Sequence, residues 1–208
     1  MIALAGLAAA ILVNYWVLAP ILGVDHDPAF SWISDLAARG EDGNWRFALL
    51  DALSGIAVIA VGVLLWPELG KRDGAGASAL RWGLVMLISS GAIAIADALL
   101  PESCARSLGG DCVRAGDLVD DLHRIESALA VPVTAAAMLL VGAGLRRAGR
   151  SRSLALLSLV AGGVFLALNI LIALRSSVDF CNDYKGAFQR GGQVVLGGWL
   201  LALTFGRR

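Results

Sequence analysis

The chain has 208 residues, of which 58% are hydrophobic and only 16% are charged, and its formal net charge is zero. Soluble domains carry about a quarter charged residues, so this composition excludes an ordinary soluble domain and predicts a polytopic membrane protein. The lack of a net positive charge also argues against a nucleic-acid-binding protein.

Six segments are long and apolar enough to cross a bilayer, which requires about 20 mostly apolar residues. Each is too long and too continuously apolar for a strand, so we expect an all-α fold. The first segment has no basic start, so we interpret it as a retained helix and not as a signal peptide. We predict a single transmembrane domain, 1–208, with six helices in a bundle. In chain order the predicted spans are 2–24, 45–65, 80–100, 122–145, 153–174 and 188–205.

Basic residues are concentrated on one face of this predicted bundle. Nine Lys and Arg residues, but only two acidic residues, lie at the chain ends and in the connections after the second and fourth spans. The positive-inside rule makes this face cytoplasmic, and an even number of spans places both termini there. We therefore predict a multi-pass protein of the bacterial cytoplasmic (inner) membrane.

The connection 25–44 contains Phe30, Trp32, Ile33 and Leu36 among polar residues. Apolar side chains in such a pattern are typical of an amphipathic helix that lies in the membrane interface. We therefore predict a short amphipathic helix at the outer surface, between the first and second spans.

Three cysteines, Cys104, Cys112 and Cys181, fall in the predicted outer loops, where disulfides persist. Three cysteines allow one bridge and leave one thiol over. The local pair Cys104–Cys112 is favoured, and a bridge from Cys181 to the third–fourth loop is the alternative. No closely paired C-x2-C ligands are present, so the sequence does not indicate a thiolate metal site.

Ionisable groups are rare inside spans, because burying one costs at least ~2.5–3.5 kcal/mol at mid-helix. Here the polar groups share one depth, the outer third of the bilayer, and the cytoplasmic halves carry almost none. This shared depth predicts one polar cavity that opens to the outside. The groups are Asp51, Asp97, Asp120, His123, Arg124, Glu126, Arg175, Gln189, Arg190 and Gln193, with Asp35 in the loop above them.

Two interpretations of this polar cluster stay open. In one, the groups form an internal salt-bridge network that fixes helix packing. In the other, they form a site, since perturbed groups gather in functional clefts. For a binding site, we expect Arg124, Arg175 and Arg190 to pair an anionic group, with Asp51 and Asp97 balancing their charge. The predicted ligand-binding residues are then Asp35, Asp120, Arg124, Glu126, Arg175, Gln189, Arg190 and Gln193.

For a catalytic site, His123 is the candidate general base, assisted by Asp51 and Asp97. The alternative for His123 is a structural, hydrogen-bonded histidine. No spacing motif collects metal ligands, so we predict no metal and no cofactor, with zinc as the remaining option.

The landmarks of the chain resemble those of a bacterial membrane family named domain of unknown function 998. The similarity lies in Ile33-Ser34-Asp35-Leu36-Ala37 after the first span, Pro101…Cys104…Cys112 after the third, Leu122-His123 at the fourth and Gln189-Arg190 near the last. The cysteines are spaced further apart than in the family pattern, and Cys181 is additional. The resemblance implies six helices and a shared site on the outer face, and it implies no activity.

These observations predict a membrane protein with an outward-facing polar pocket that binds a lipid head group or a small polar ligand. One alternative is an intramembrane lipid hydrolase or transferase that uses His123 and nearby carboxylates. The other is a structural or accessory subunit of an envelope complex. The expected partners are membrane lipid and a small polar ligand, with a homo-oligomer or a larger membrane complex as the expected assembly.

Overall fold

A computed structural model describes residues 1–41, 43–71, 73–105 and 118–206. In these ranges the chain is all α-helical, with short 3-10 and π turns and no strand. The helices are α1 (Ile2–Leu12), α2 (Asn44–Leu65), α3 (Ala77–Leu99), α4 (Leu118–Arg147), α5 (Arg152–Ala173), α6 (Asp179–Asp183) and α7 (Lys185–Phe205).

Four helices, α2 to α5, are long and apolar enough to cross a membrane, with α2 continued by a π turn to Gly70. The prediction of an all-α, multi-pass membrane protein is therefore confirmed. The count of six spans stays a prediction, because α1 has only 11 residues and α7 is not among the four.

The first predicted span, 2–24, differs from the structure, in which α1 ends at Leu12 and a 3-10 turn follows over Tyr15–Leu18. The Asn14 side chain donates to the Ala10 carbonyl at 2.9 Å. A side-chain amide that bonds to the helix backbone in this way competes with the helical hydrogen-bond ladder. The chain then reverses through Gly23, whose φ of +78° suits glycine.

The long helices form a closed ring in chain order. Each packs against the next, α5 packs against α7, and α7 closes the ring against α1. Neighbours run antiparallel, so the ring has two different ends. We call the end with Met1, Gly206 and residues 73–76 and 148–151 the basic end. The end with residues 13–41 and 100–105 is the loop end.

The helix ring is closed by direct backbone contact at glycines. At Gly91 of α3, an added Cβ would lie 2.6 Å from the carbonyl oxygen of Gly55 in α2. At Gly83, nearer the basic end, an added Cβ would lie 2.9 Å from the backbone nitrogen of Val141 in α4. Small residues at helix contacts are the usual means of close packing in a membrane.

The connection between α1 and α2 was predicted as an amphipathic helix at the outer surface, and this prediction is wrong. The connection contains a 3-10 turn, Ser34–Ala37, and packs into the loop end of the ring. Ser31, Ile33 and Leu36 are buried, and Ile33 and Leu36 share an apolar cluster with Phe47 of α2. We call residues 29–38 the plug.

Candidate functional site

The plug is held in place by the first turns of α7. The backbone N–H of Ile33 donates to Oε1 of Gln189 at 2.8 Å. Arg190 is buried, and its Nη1 donates to the Ser31 carbonyl at 2.6 Å. Within the plug, the Trp32 N–H donates to Asp35 at 3.1 Å. Asp35, Gln189 and Arg190 were predicted as ligand-binding residues. In the structure, the side chain of each forms a hydrogen bond with a backbone group of the plug.

Three cations near the plug face aromatic rings. The Lys185 Nζ lies 3.0 Å from the centroid of the Phe30 ring. The guanidinium carbons of Arg175 and Arg190 lie 5.4 Å from the rings of Trp32 and Trp16. Cations over aromatic faces gain electrostatic stabilisation, so the contacts with Phe30 and Trp32 add to the attachment of the plug, and the contact with Trp16 helps to hold Arg190 in place.

His26 lies just before the plug, outside the predicted spans. Partial burial lowers the pKa of His26 below its usual value of 6.5, and the Arg190 guanidinium lowers it further. Neither ring nitrogen has a hydrogen-bond partner in the part of the chain that the structure describes. A neutral imidazole is therefore the form that suits this position.

Asp120, at the start of α4, fastens the segment that follows α3. It accepts hydrogen bonds from the backbone and the hydroxyl of Ser103, at 2.8 and 2.7 Å. Arg39 approaches it to 3.8 Å and also donates its backbone N–H to the Glu102 carbonyl at 2.8 Å. Asp120 thus joins three segments of the loop end, and it lies outside the cavity lining.

A cavity of about 180 Å³ lies beneath the plug, inside the helix ring. Its roof is formed by Ile33, Ser34 and Gln189, and its apolar floor includes Val58 and Phe165. The polar groups of its wall come from all the long helices except α1, together with Tyr15. They are Asp51 and Ser54 of α2, Ser90 and Asp97 of α3, Ser127 and Thr134 of α4, Asn169 of α5, and Gln189 and Gln193 of α7.

Two hydroxyls of the cavity wall present acceptors to the cavity. The hydroxyls of Ser54 and Ser90 both donate to carbonyls of their own helices at 2.8 Å. Their single donors are used, so their lone pairs are available in the cavity. The Asn169 Nδ2 donates one of its two N–H groups to the Phe165 carbonyl at 2.9 Å.

Two carboxyl groups, those of Asp51 and Asp97, also line this wall. Asp51 is only 9% exposed, and its Oδ2 has no hydrogen-bond partner among the described residues. No Lys or Arg of the described ranges lines the cavity. A buried carboxylate needs a compensating donor or cation, so the cavity suits a ligand that supplies one.

His123 lies behind Asp97, away from the cavity lining. Its Nδ1 is 3.0 Å from the Asp97 Oδ1 and 3.0 Å from the Leu100 carbonyl oxygen, and its Nε2 is 3.5 Å from Glu102. Ligand atoms of Asp97, His123 and Glu126 all lie within 4.8 Å of one another. Asp97 thus separates the cavity from a buried imidazole.

The structure brings together some of the predicted residues and separates others. Asp51, Asp97, Gln189 and Gln193 line the cavity, and His123 and Glu126 lie behind Asp97. Arg124 and Arg175 are exposed at the loop end, where Arg124 pairs with Asp121. An anion held by Arg124, Arg175 and Arg190 therefore has no support from the cavity lining.

Sequence reasoning missed Tyr15, Ser54 and Glu102. Ser54 carries a readable signal, because it lies three residues after Asp51 and so shares the same helix face. Tyr15 lies where a continuous helix was expected, and Glu102 follows the end of α3, so no helical spacing relates either of them to the cluster.

No disulfide joins two residues of the described part of the chain. Cys181 is a free, buried thiol, so the alternative bridge from Cys181 to Cys104 is not formed. Cys112 lies outside the described residues, and the Cys104–Cys112 bridge stays a prediction.

The comparisons with known proteins give a family and no activity. The family described as "Protein of unknown function (DUF998)" matches residues 4–206, nearly the whole chain. No curated protein and no solved structure matches.

Proposed function

The chain belongs to the DUF998 family, whose description assigns no activity, and we propose from the cavity that it binds a small polar ligand carrying a positive charge. The observation that supports this is the composition of the wall. Asp51 and Asp97 face a space that no Lys or Arg of the described ranges lines, and the hydroxyls of Ser54 and Ser90 present lone pairs to it. An ammonium group supplies the positive charge that this lining lacks and donors for the carboxylates and the lone pairs.

The size of the cavity limits the ligand. An engineered cavity of about 150 Å³ holds benzene, so 180 Å³ accommodates about six to eight non-hydrogen atoms. A free small amine fits this limit, and so does the amine of a lipid head group such as ethanolamine. Both share the same chemistry at Asp51 and Asp97.

The test is a thermal-shift titration of the detergent-purified protein with ethanolamine, and with acetate as the anionic comparison. We expect ethanolamine to raise the melting temperature of the wild-type protein and acetate to have no such effect. In Asp51→Asn the shift should disappear. Asp179→Asn, at an exposed position on α6, is the matched control and should respond as the wild type does.

A stabilisation by acetate, or an equal ethanolamine response in Asp51→Asn, would remove the basis of the proposal.

Vesicles of phosphatidylethanolamine and of phosphatidylglycerol then distinguish the two sources of the amine. Competition with ethanolamine by the former only would identify a lipid head group as the ligand, whereas competition by neither would identify a free amine.

A second candidate is an intramembrane hydrolase or transferase, and the Asp97–His123 pair is the observation that favours it. Asp97 faces the cavity and lies 3.0 Å from the His123 Nδ1, so the pair is able to hold a proton at the cavity wall. In this scheme Asp97 is the general base and His123 positions it. Conversion of bacterial lipids by the wild type, lost in Asp97→Asn and kept in Asp179→Asn, would support this activity. Unchanged lipids with the wild type would argue against it.

A further inference from the structure

The group behind the cavity wall has more acceptors than donors. Asp97, His123 and Glu126 place their ligand atoms within 4.8 Å of one another. His123 Nδ1 carries at most one proton, yet it lies 3.0 Å from both the Leu100 carbonyl oxygen and the Asp97 Oδ1. The geometry of a hydrogen bond is met towards Leu100, and the Asp97 Oδ1 has no partner among the described residues.

A second orphan oxygen lies beside the first. The Asp51 carboxylate interacts with those of Asp97 and Glu126, and its Oδ2 is buried without a hydrogen-bond partner. Asp51 is itself more than nine-tenths buried. Three acidic side chains therefore surround one imidazole. Unpartnered acceptors at one buried point are costly, and a cation supplies them with a partner.

We propose that Asp97, Glu126 and the Nδ1 of His123 bind a divalent transition-metal ion, of which zinc and manganese are the candidates. One imidazole with carboxylates suits these ions, whereas calcium requires six to eight oxygen ligands. On binding, the His123 ring turns from the Leu100 carbonyl towards the carboxylates, and Nδ1 gives its proton to solvent and its lone pair to the ion. Asp51 and the cavity lie on the open side of the site, where a further ligand can reach the ion.

This site goes beyond the proposed function, because an amine in the cavity does not require a metal. The same distances also fit a metal-free network in which a protonated His123 bridges carboxylates. The two arrangements differ in one measurable way, since only the metal site takes up a stoichiometric ion.

The test uses the full-length protein in detergent, stripped with EDTA and then titrated with Zn²⁺ or Mn²⁺ by calorimetry, with metal content measured by mass spectrometry. We expect one ion per wild-type chain. Glu126→Gln and His123→Gln should weaken binding by at least about tenfold. His26→Gln changes the other histidine of the chain and should bind as the wild type does.

Glu126→Gln is the decisive variant, because it keeps the shape of the side chain and is the less disruptive of the two changes. No stoichiometric ion in the wild type, or wild-type affinity in a folded Glu126→Gln protein, would overturn the proposal. Asp51→Asn separates this proposal from the amine site, because it should retain the metal and lose the ethanolamine response. A metal-free protein that still responds to ethanolamine would refute the metal site alone.

Discussion

At the basic end the helix ring is filled by aliphatic side chains such as Leu84, Val141 and Leu203, whereas at the loop end it surrounds carboxylates, an imidazole and a guanidinium. The buried polar groups of the two ends also differ in their partners. Trp199 donates to Ser158 at 3.0 Å, and Ser158 donates onward to a backbone carbonyl. At the loop end, oxygens of Asp51 and Asp97 have no hydrogen-bond partner among the residues that the structure describes.

This contrast indicates that the stability of the fold and its function depend on different ends of the bundle. Complete packing and satisfied hydrogen bonds stabilise a fold, and sites that bind ligands commonly give up part of that stability. We infer that the basic end holds the bundle together and that the loop end provides the site. Overpacking the basic end should therefore lower the melting temperature, whereas neutralising Asp51 at the loop end should raise it.

The largest effect is expected at the basic end, for Gly83→Ala. The added methyl group would lie 2.9 Å from the Val141 backbone, so α3 and α4 must separate. Overpacking of this kind costs about 1–3 kcal/mol, which should appear as a lower melting temperature. Gly163→Ala is the control, because no atom lies within 4 Å of its added Cβ. Equal melting temperatures for the two variants would show that the basic end does not depend on this contact.

A smaller effect is expected for Arg190→Lys, at the attachment of the plug. The variant loses the bond from Nη1 to the Ser31 carbonyl and the contact with Trp16. Lysine keeps the charge and can donate, so the variant loses only part of the contribution of a charged hydrogen bond, and the amide of Ile33 should exchange with solvent about tenfold faster. Hydrogen–deuterium exchange measures this rate. Arg152→Lys, at an exposed position at the basic end, should leave it unchanged. Equal exchange in the wild type and Arg190→Lys would mean that other contacts hold the plug.

The smallest effect is expected from pH, through His26. Its pKa is lowered in the folded protein, so the folded state binds fewer protons than the unfolded state. Its contribution to stability is complete above pH 6.5 and is lost as the pH falls from there towards the folded pKa. Melting temperatures between pH 7.5 and 5 should therefore fall less steeply in His26→Gln than in the wild type. If the melting temperature depended on pH equally steeply in His26→Gln and in the wild type, groups other than His26 would cause that dependence.

The helices α2 to α5 were predictable because long apolar runs carry their own signal, independent of contacts elsewhere. The end of α1 was not, because it depends on one side chain, Asn14, within a continuous apolar run. The plug was predicted as an interfacial helix from its apolar residues. Its true position depends on Gln189, 156 residues away from Ile33, and no local pattern contains that contact.

The depth of the candidate site in the bundle was predictable from the sequence, but the charge of the side chains that line it was not. Asp51, Asp97 and His123 were recognised because ionisable groups are rare in apolar helices. Their partners were expected to be arginines at the same depth. Long arginine side chains are free to turn away from the protein interior, and Arg124 and Arg175 are exposed in the structure.

The melting temperature of Asp51→Asn, without and with ethanolamine, distinguishes a ligand site from a structural network. If Asp51 is a binding group left uncompensated in the empty protein, its neutral isostere should melt about 2–4 °C higher. The variant should also lose its response to ethanolamine. A fall in melting temperature, with the ethanolamine response retained, would contradict this account and show that the carboxylate holds the helices together.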